Sequence, residues 1–151
     1  MLMIKYLLRI PLLLISVTLI ISGVRWMISD EPWMLDQVAN EERLNMTFDQ
    51  LFSSEKNKTL SGYLTQIYRF LGLYVVGIGT MLLAFSSEKI LKISYVRIRI
   101  FYALGSLLIV NLILAYNWIP SSHFIYLMWA ALVLFTLSLY AHIKIGSYEN
   151  K

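Results

Sequence analysis

Tyr68-Arg69-Phe70-Leu71-Gly72-Leu73-Tyr74-Val75-Val76-Gly77-Ile78-Gly79 decides how this chain folds. The stretch lies in a run from Tyr63 to Phe85 whose 23 residues include a single charge, Arg69. At about 1.5 Å of rise per residue, a helix over that run reaches roughly 34 Å. This crosses a hydrocarbon core of about 30 Å with slight tilt. Backbone polar groups in lipid must be satisfied within their own segment, so the run predicts a transmembrane helix. Thr65, Arg69, Gly72, Val76, Gly79, Leu83 and Ser86 recur at alternating steps of four and three and share one face. So little side chain lets a neighbouring helix approach closely, and Gly72 and Gly79 are expected at a helix contact.

The rest of the chain repeats this apolar pattern. Of its 151 residues 58% are hydrophobic and only 15% charged, with a mean hydropathy of +0.66. A soluble domain of this length carries far more charge. Four apolar runs account for the bias, residues 7–27, 63–85, 100–118 and 122–143. The expected fold is all-α, a single membrane domain built as a four-transmembrane-helix bundle. Residues 29–62 form a short amphipathic helical segment outside the membrane between the first and second helices. In the third helix Gly105 is a further expected packing position. There are no cysteines, which excludes disulfides, thiolate metal sites and a cysteine nucleophile.

The net charge of +4 invites a nucleic-acid reading, but the placement of the charges points to a bilayer. With the N-terminus inside, Lys5, Arg9, Lys89, Lys92, Arg97, Arg99, Lys144 and Lys151 fall on the inner side with Glu88 and Glu149. Arg25, Arg43, Lys56, Lys58 and Arg69 fall outside, with Asp30, Glu31, Asp36, Glu41, Glu42, Asp49 and Glu55. Excess basic residues on cytoplasmic loops set membrane orientation, so both termini are expected in the cytoplasm. The basic clusters then meet anionic lipid, not nucleic acid. Trp26, Trp33, Tyr63, Tyr116 and Trp118 outside, with Tyr6, Tyr95, Tyr102 and Tyr140 inside, read as two interfacial aromatic belts. Apolar sequence continuing to Val24 without a small-residue cleavage site makes the first run an uncleaved anchor, with Pro11 in its first turns.

In the outer segment Asp30 is placed to cap a helix opening with Glu31-Pro32, and Thr47-x-x-Gln50 has the form of a capping box for a second. No metalloprotease, serine-hydrolase, phosphate-loop or dinucleotide motif occurs. His123 and His142 are 19 residues apart on one expected helix, about 28 Å, too far to share a metal or haem iron. No catalytic residue, metal or cofactor is therefore assigned, and the chain is read as a non-enzyme.

None of the four runs contains Asp or Glu, so Arg25 and Arg69 have no carboxylate at membrane depth. Arg69 lies six residues into its run, roughly 9 Å, where a charge is costly unless it snorkels or is paired. Asn111 falls at a similar depth in the third run. These residues, with Tyr68 and Tyr126, form the candidate ligand set: an outward polar pocket for an anion or lipid headgroup, closed by the outer segment. The leading expectation is instead an accessory or interaction subunit, in contact with the bilayer and packing through small-residue faces on a second copy or within a larger membrane complex.

Tyr68-Arg69-Phe70, followed by Gly72 and then Gly77-Ile78-Gly79, resembles the second span of an uncharacterised family of small bacterial four-helix integral membrane proteins. A DoxX-like membrane subunit is a looser resemblance. The likeness implies four spans and an inner-membrane location, and carries no activity. The chain departs from that pattern in its longer outer segment and in the lack of an acid in the fourth span.

Overall fold

The computed structural model describes residues 2–149, and side chains as far as 147. Lys151, counted above on the inner side, lies outside them, as does the side chain of Glu149. Among the described residues all regular structure is helical, with no strand. Four helices are long and apolar enough to cross a membrane: α1 (Leu2–Ile28), α4 (Leu60–Phe85), α6 (Ser94–Trp118) and α7 (Phe124–Glu149). Between α1 and α4 lie a 3-10 helix (Pro32–Asp36), α2 (Gln37–Leu44), α3 (Phe48–Ser53) and a 3-10 turn (Glu55–Asn57). The short α5 (Glu88–Leu91) bends the chain from α4 into α6.

Each long helix extends beyond its apolar run at one end or both. α1 begins at Leu2, and Ile4, Leu7 and Leu8 pack into the core. Pro11 therefore stands in the helix interior, not in its first turns, and costs α1 one backbone hydrogen bond. α6 starts at Ser94, taking Arg97 and Arg99 into the helix, and α7 continues beyond residue 143.

α1 is the central helix, packed on α4 and on α7, while α6 packs on α7. The α1–α4 seam is built on missing side chains. A Cβ on Gly23 would stand 2.6 Å from Gly72 O, and one on Gly72 would stand 2.6 Å from Gly23 O. Two turns further in, a Cβ on Gly79 would stand 2.9 Å from Ser16 O. These obstacles are backbone, so the two helices lie as close as glycine permits. Gly72 and Gly79 thus stand at a helix contact, and the partner glycine is Gly23. The buried stripe of α4 runs Gly72, Gly79, Leu82 and Ser86. Arg69 and Leu83, expected on that face, are both exposed. Gly105 in α6 meets the ring of Phe135 in α7, whose Cζ would lie 3.0 Å from an added Cβ.

Away from the outer segment, side chains reaching main-chain carbonyls tie the helices together. Arg9 Nε donates to Ser86 O at 3.2 Å, joining α1 to the end of α4. Ser138 in α7 donates to Leu8 O in α1. Arg97, only 2% exposed, donates to Leu91 O and Lys92 O at the end of α5, and its Nε donates to His142 Nδ1 at 3.1 Å. Among the described residues no buried side-chain nitrogen or oxygen lacks a partner, as a low-dielectric interior demands.

Candidate functional site at the outer end

The outer segment is held down by its own aromatic core. Trp33 is buried, with its ring 6.1 Å from Phe48 and 5.4 Å from Phe52, centroid to centroid. Trp33 therefore belongs to this small core and not to an interfacial belt. Thr47 caps α3 as its spacing predicts: Gln50 N donates to Thr47 Oγ1 and Thr47 N donates to Gln50 Oε1. Asp30 does not cap. The position before the first 3-10 helix is Glu31, and it makes no side-chain cap bond; Pro32 follows at the first helical position, where its missing N–H costs least.

Polar contacts then fasten this segment to the long helices. Asp36, nearly buried, accepts from Ser122 Oγ at 2.6 Å, and His123 Nδ1 lies 3.1 Å from its other oxygen. Ser122 Oγ also accepts from Phe124 N, so one hydroxyl both caps α7 and ties it to the outer segment. Asn40 donates to Trp33 O at 2.9 Å and to the Tyr68 hydroxyl at 3.1 Å, reaching α4. Glu42 accepts from the Ser121 hydroxyl, and the Arg43 guanidinium sits 4.5 Å above the ring of Trp118. Serine, histidine and aspartate meet here, but not as a hydrolytic triad. The serine hydroxyl donates to the aspartate, so no imidazole is placed to take its proton. The cluster is wired as a clasp.

The candidate ligand residues do not converge on one pocket. Tyr68 is half-buried and bonded to Asn40. Asn111 is exposed and turns back on its own helix, donating to Leu107 O at 2.7 Å. Tyr126 is 78% exposed near the start of α7. Arg25 and Arg69 are both exposed, and among the described residues neither side chain makes a hydrogen bond or ion pair. Arg69 lines an open groove of about 370 Å³ with Met27, Gly62, Thr65, Gln66, Phe70 and Leu73.

The helix register fixes the level of Arg69. Gly72 lies against Trp26 and Met27 as well as Gly23, so Arg69, almost one turn earlier, is level with the last residues of α1. α4 extends about 14 Å beyond that point to its first residue, Leu60. Arg25 stands slightly further in, near the level of Gly72. Of the acids near Arg25 in sequence, Asp36 is engaged in the clasp, and the exposed Asp30 and Glu31 make no ion pair with either arginine; further along, Glu41 bonds to Gln37 and Phe48 N, Glu42 to Ser121 and Glu55 to Lys58.

Two residues that organise the molecule, Arg97 and Asp36, have no motif of their own. Arg97 is signalled only by sharing the spacing of Phe101, Leu104 and Leu108, the buried face of α6. Asp36 meets its partner 86 positions away, and no local pattern announces the contact.

No family model matches this sequence, and neither the curated proteins nor the solved structures yield a match.

Proposed function

We propose that this chain is a non-enzymatic accessory or interaction subunit of a bacterial inner membrane, folded as a four-helix bundle with both termini in the cytoplasm. The observation that carries the reading is Gly77. Gly23, Gly72 and Gly79 are each explained by a backbone that passes against them, whereas an added Cβ on Gly77 would meet nothing within 4 Å. Glycine in a helix interior costs about 1 kcal/mol relative to alanine, and no contact within the chain offsets that. It stands between Tyr74 and Met81, which are 67% and 62% exposed. Large side chains flanking a glycine form a notch that admits a close-packed helix from a second copy or another membrane protein.

The chain lacks cysteine and its α4 face is chemically simple, so a site-specific photo-crosslinker reads this directly. Placed at Tyr74 and at Met81 and activated in intact membranes, it is expected to give one discrete protein adduct. Val133 on α7, 58% exposed, is the comparison position. Lipid adducts alone at Tyr74 and Met81, or the same protein adduct from Val133, count against a subunit role.

A further inference from the structure

Among the described residues neither of the two cations at the outer end of the α1–α4 seam makes an ion pair. Asp36, Glu41, Glu42 and Glu55 are turned to other partners, and the exposed Asp30, Glu31 and Asp49 pair with neither arginine. Arg69 is the better placed of the two, because it lines a groove and Arg25 is not among the groove's residues. The groove is polar at one end and apolar at the other. Gln66 stands one turn from Arg69 toward the outer end, on the same side of α4. The Thr65 hydroxyl is spent on Ser61 O, while the Gln66 side chain makes no hydrogen bond among the described residues. Toward the membrane the lining becomes Phe70, Leu73 and Met27. Gly62 leaves the outer rim open, with nothing within 4 Å of where its Cβ would be.

That order, donors above and hydrocarbon below, is the order of a glycerophospholipid. The level agrees, since Arg69 stands beside the end of α1, where a spanning helix emerges among headgroups. We propose that this groove is a phospholipid site: the phosphodiester lies on the Arg69 guanidinium and the Gln66 amide, and an acyl chain runs down past Met27, Phe70 and Leu73. A guanidinium matches phosphate oxygens with two parallel N–H bonds, which an ammonium cannot reproduce. The inference does not rest on the subunit reading: Phe70 and Leu73 lie on the same side of α4 as Gly77, but lipid retention reads the groove and crosslinking from Tyr74 and Met81 reads the notch beyond it.

Native mass spectrometry of the full chain released from detergent tests the site, with three probes added in turn: phosphatidylglycerol, diacylglycerol and inorganic phosphate. Wild type is expected to retain one phosphatidylglycerol and neither of the other two. Arg69→Ala is expected to lower that retention by roughly tenfold, the loss of one charge-assisted pair. Arg69→Lys and Gln66→Leu are expected to lower it less. Arg99→Ala, an exposed cation near the opposite end of the fold, is expected to leave it unchanged. Because Arg69 is exposed, its variants should keep the wild-type melting temperature, and Gln66→Leu tests the same groove without touching a charge. Equal retention in wild type, Arg69→Ala and Gln66→Leu means only annular lipid and overturns the site. Diacylglycerol held as well as phosphatidylglycerol shows a greasy groove without phosphate recognition. Inorganic phosphate bound in place of lipid shows a small-anion site, and either result also overturns the proposal.

Discussion

Gly23 and Gly72 form the closest point of the fold, each occupying the space that a side chain on the other would need. Lipid gives no hydrophobic drive to helix pairing, so this seam depends on backbone proximity and dispersion. Alanine at either position must push two main chains apart, and overpacking of that kind costs about 1–3 kcal/mol. Gly23→Ala and Gly72→Ala should therefore each lower the unfolding midpoint in detergent. Gly77→Ala should leave the isolated chain unchanged or raise its midpoint slightly, since its Cβ position is open and alanine is the better helix former. Gly105→Ala should fall between, because the Phe135 ring it meets can turn aside. Equal losses at Gly72 and Gly77 would show that helix propensity, not the seam, governs these positions. Spacing alone pointed to Gly72 and Gly79, because glycines two turns apart in an apolar helix have few other uses. Gly23 was not legible in the same way: a lone glycine declares itself only once the pairing of α1 with α4 is known. Arg97 was hidden for a different reason. A basic residue at the inner end of a span reads as an orientation signal, and its burial against α5 and His142 appears only when the helix is extended back to Ser94.

Among the elements, the outer segment is attached through side-chain pairs that reach both α4 and α7. Its internal structure could be read locally, as the Thr47–Gln50 capping box shows, since both partners lie within one turn. Its docking could not be read, because Asp36 and Ser122, or Asn40 and Tyr68, are brought together only by the fold. The Asp36 carboxylate accepts one hydroxyl, faces one imidazole and is nearly excluded from water. Hydrogen bonds to a charged group contribute about 1.5–3 kcal/mol each. Asp36→Ala should loosen the segment by about that amount, freeing the α7 cap and leaving His123 without its acid. Limited proteolysis of the sealed outer surface then measures the loosening. Cleavage within residues 37–58 is expected several-fold faster in Asp36→Ala and in Ser122→Ala than in wild type, with the four long helices intact. Asp30→Ala, at an exposed position outside the clasp, should cleave at the wild-type rate. Uniform rates across all three variants would mean that the Trp33, Phe48 and Phe52 core alone holds the segment.

For the whole molecule, charge and clasp together make a prediction about sidedness. The helices alone do not orient themselves in a bilayer, since length and apolarity are the same from either face. Orientation rests on the basic residues, and the fold sharpens that argument by separating them into two kinds. Arg9 and Arg97 are drawn into the protein, where they hold α1 to the end of α4 and α6 to α5 and α7, so they serve structure as well as charge. Lys89 remains exposed on the α5–α6 turn, while Lys92 is paired with Glu88, and Arg99, in α6, lies over Tyr95; all three stay at the surface within reach of anionic lipid. At the other end Lys58 is paired with Glu55 and Arg43 lies over Trp118, while Arg25, Lys56 and Arg69 stay exposed beside an acidic segment that offsets their charge. The turn is therefore expected in the cytoplasm and the clasped segment outside. In this cysteine-free chain single cysteines make the test clean: Asp49→Cys and Lys56→Cys should react with a membrane-impermeant maleimide on intact cells. Lys89→Cys and Lys144→Cys should react only after permeabilisation. A reversed pattern would place the lipid groove and the clasp on the cytoplasmic side. Mixed labelling at every position would mean dual insertion, with the exposed lysines of the turn too few to fix the chain in one direction.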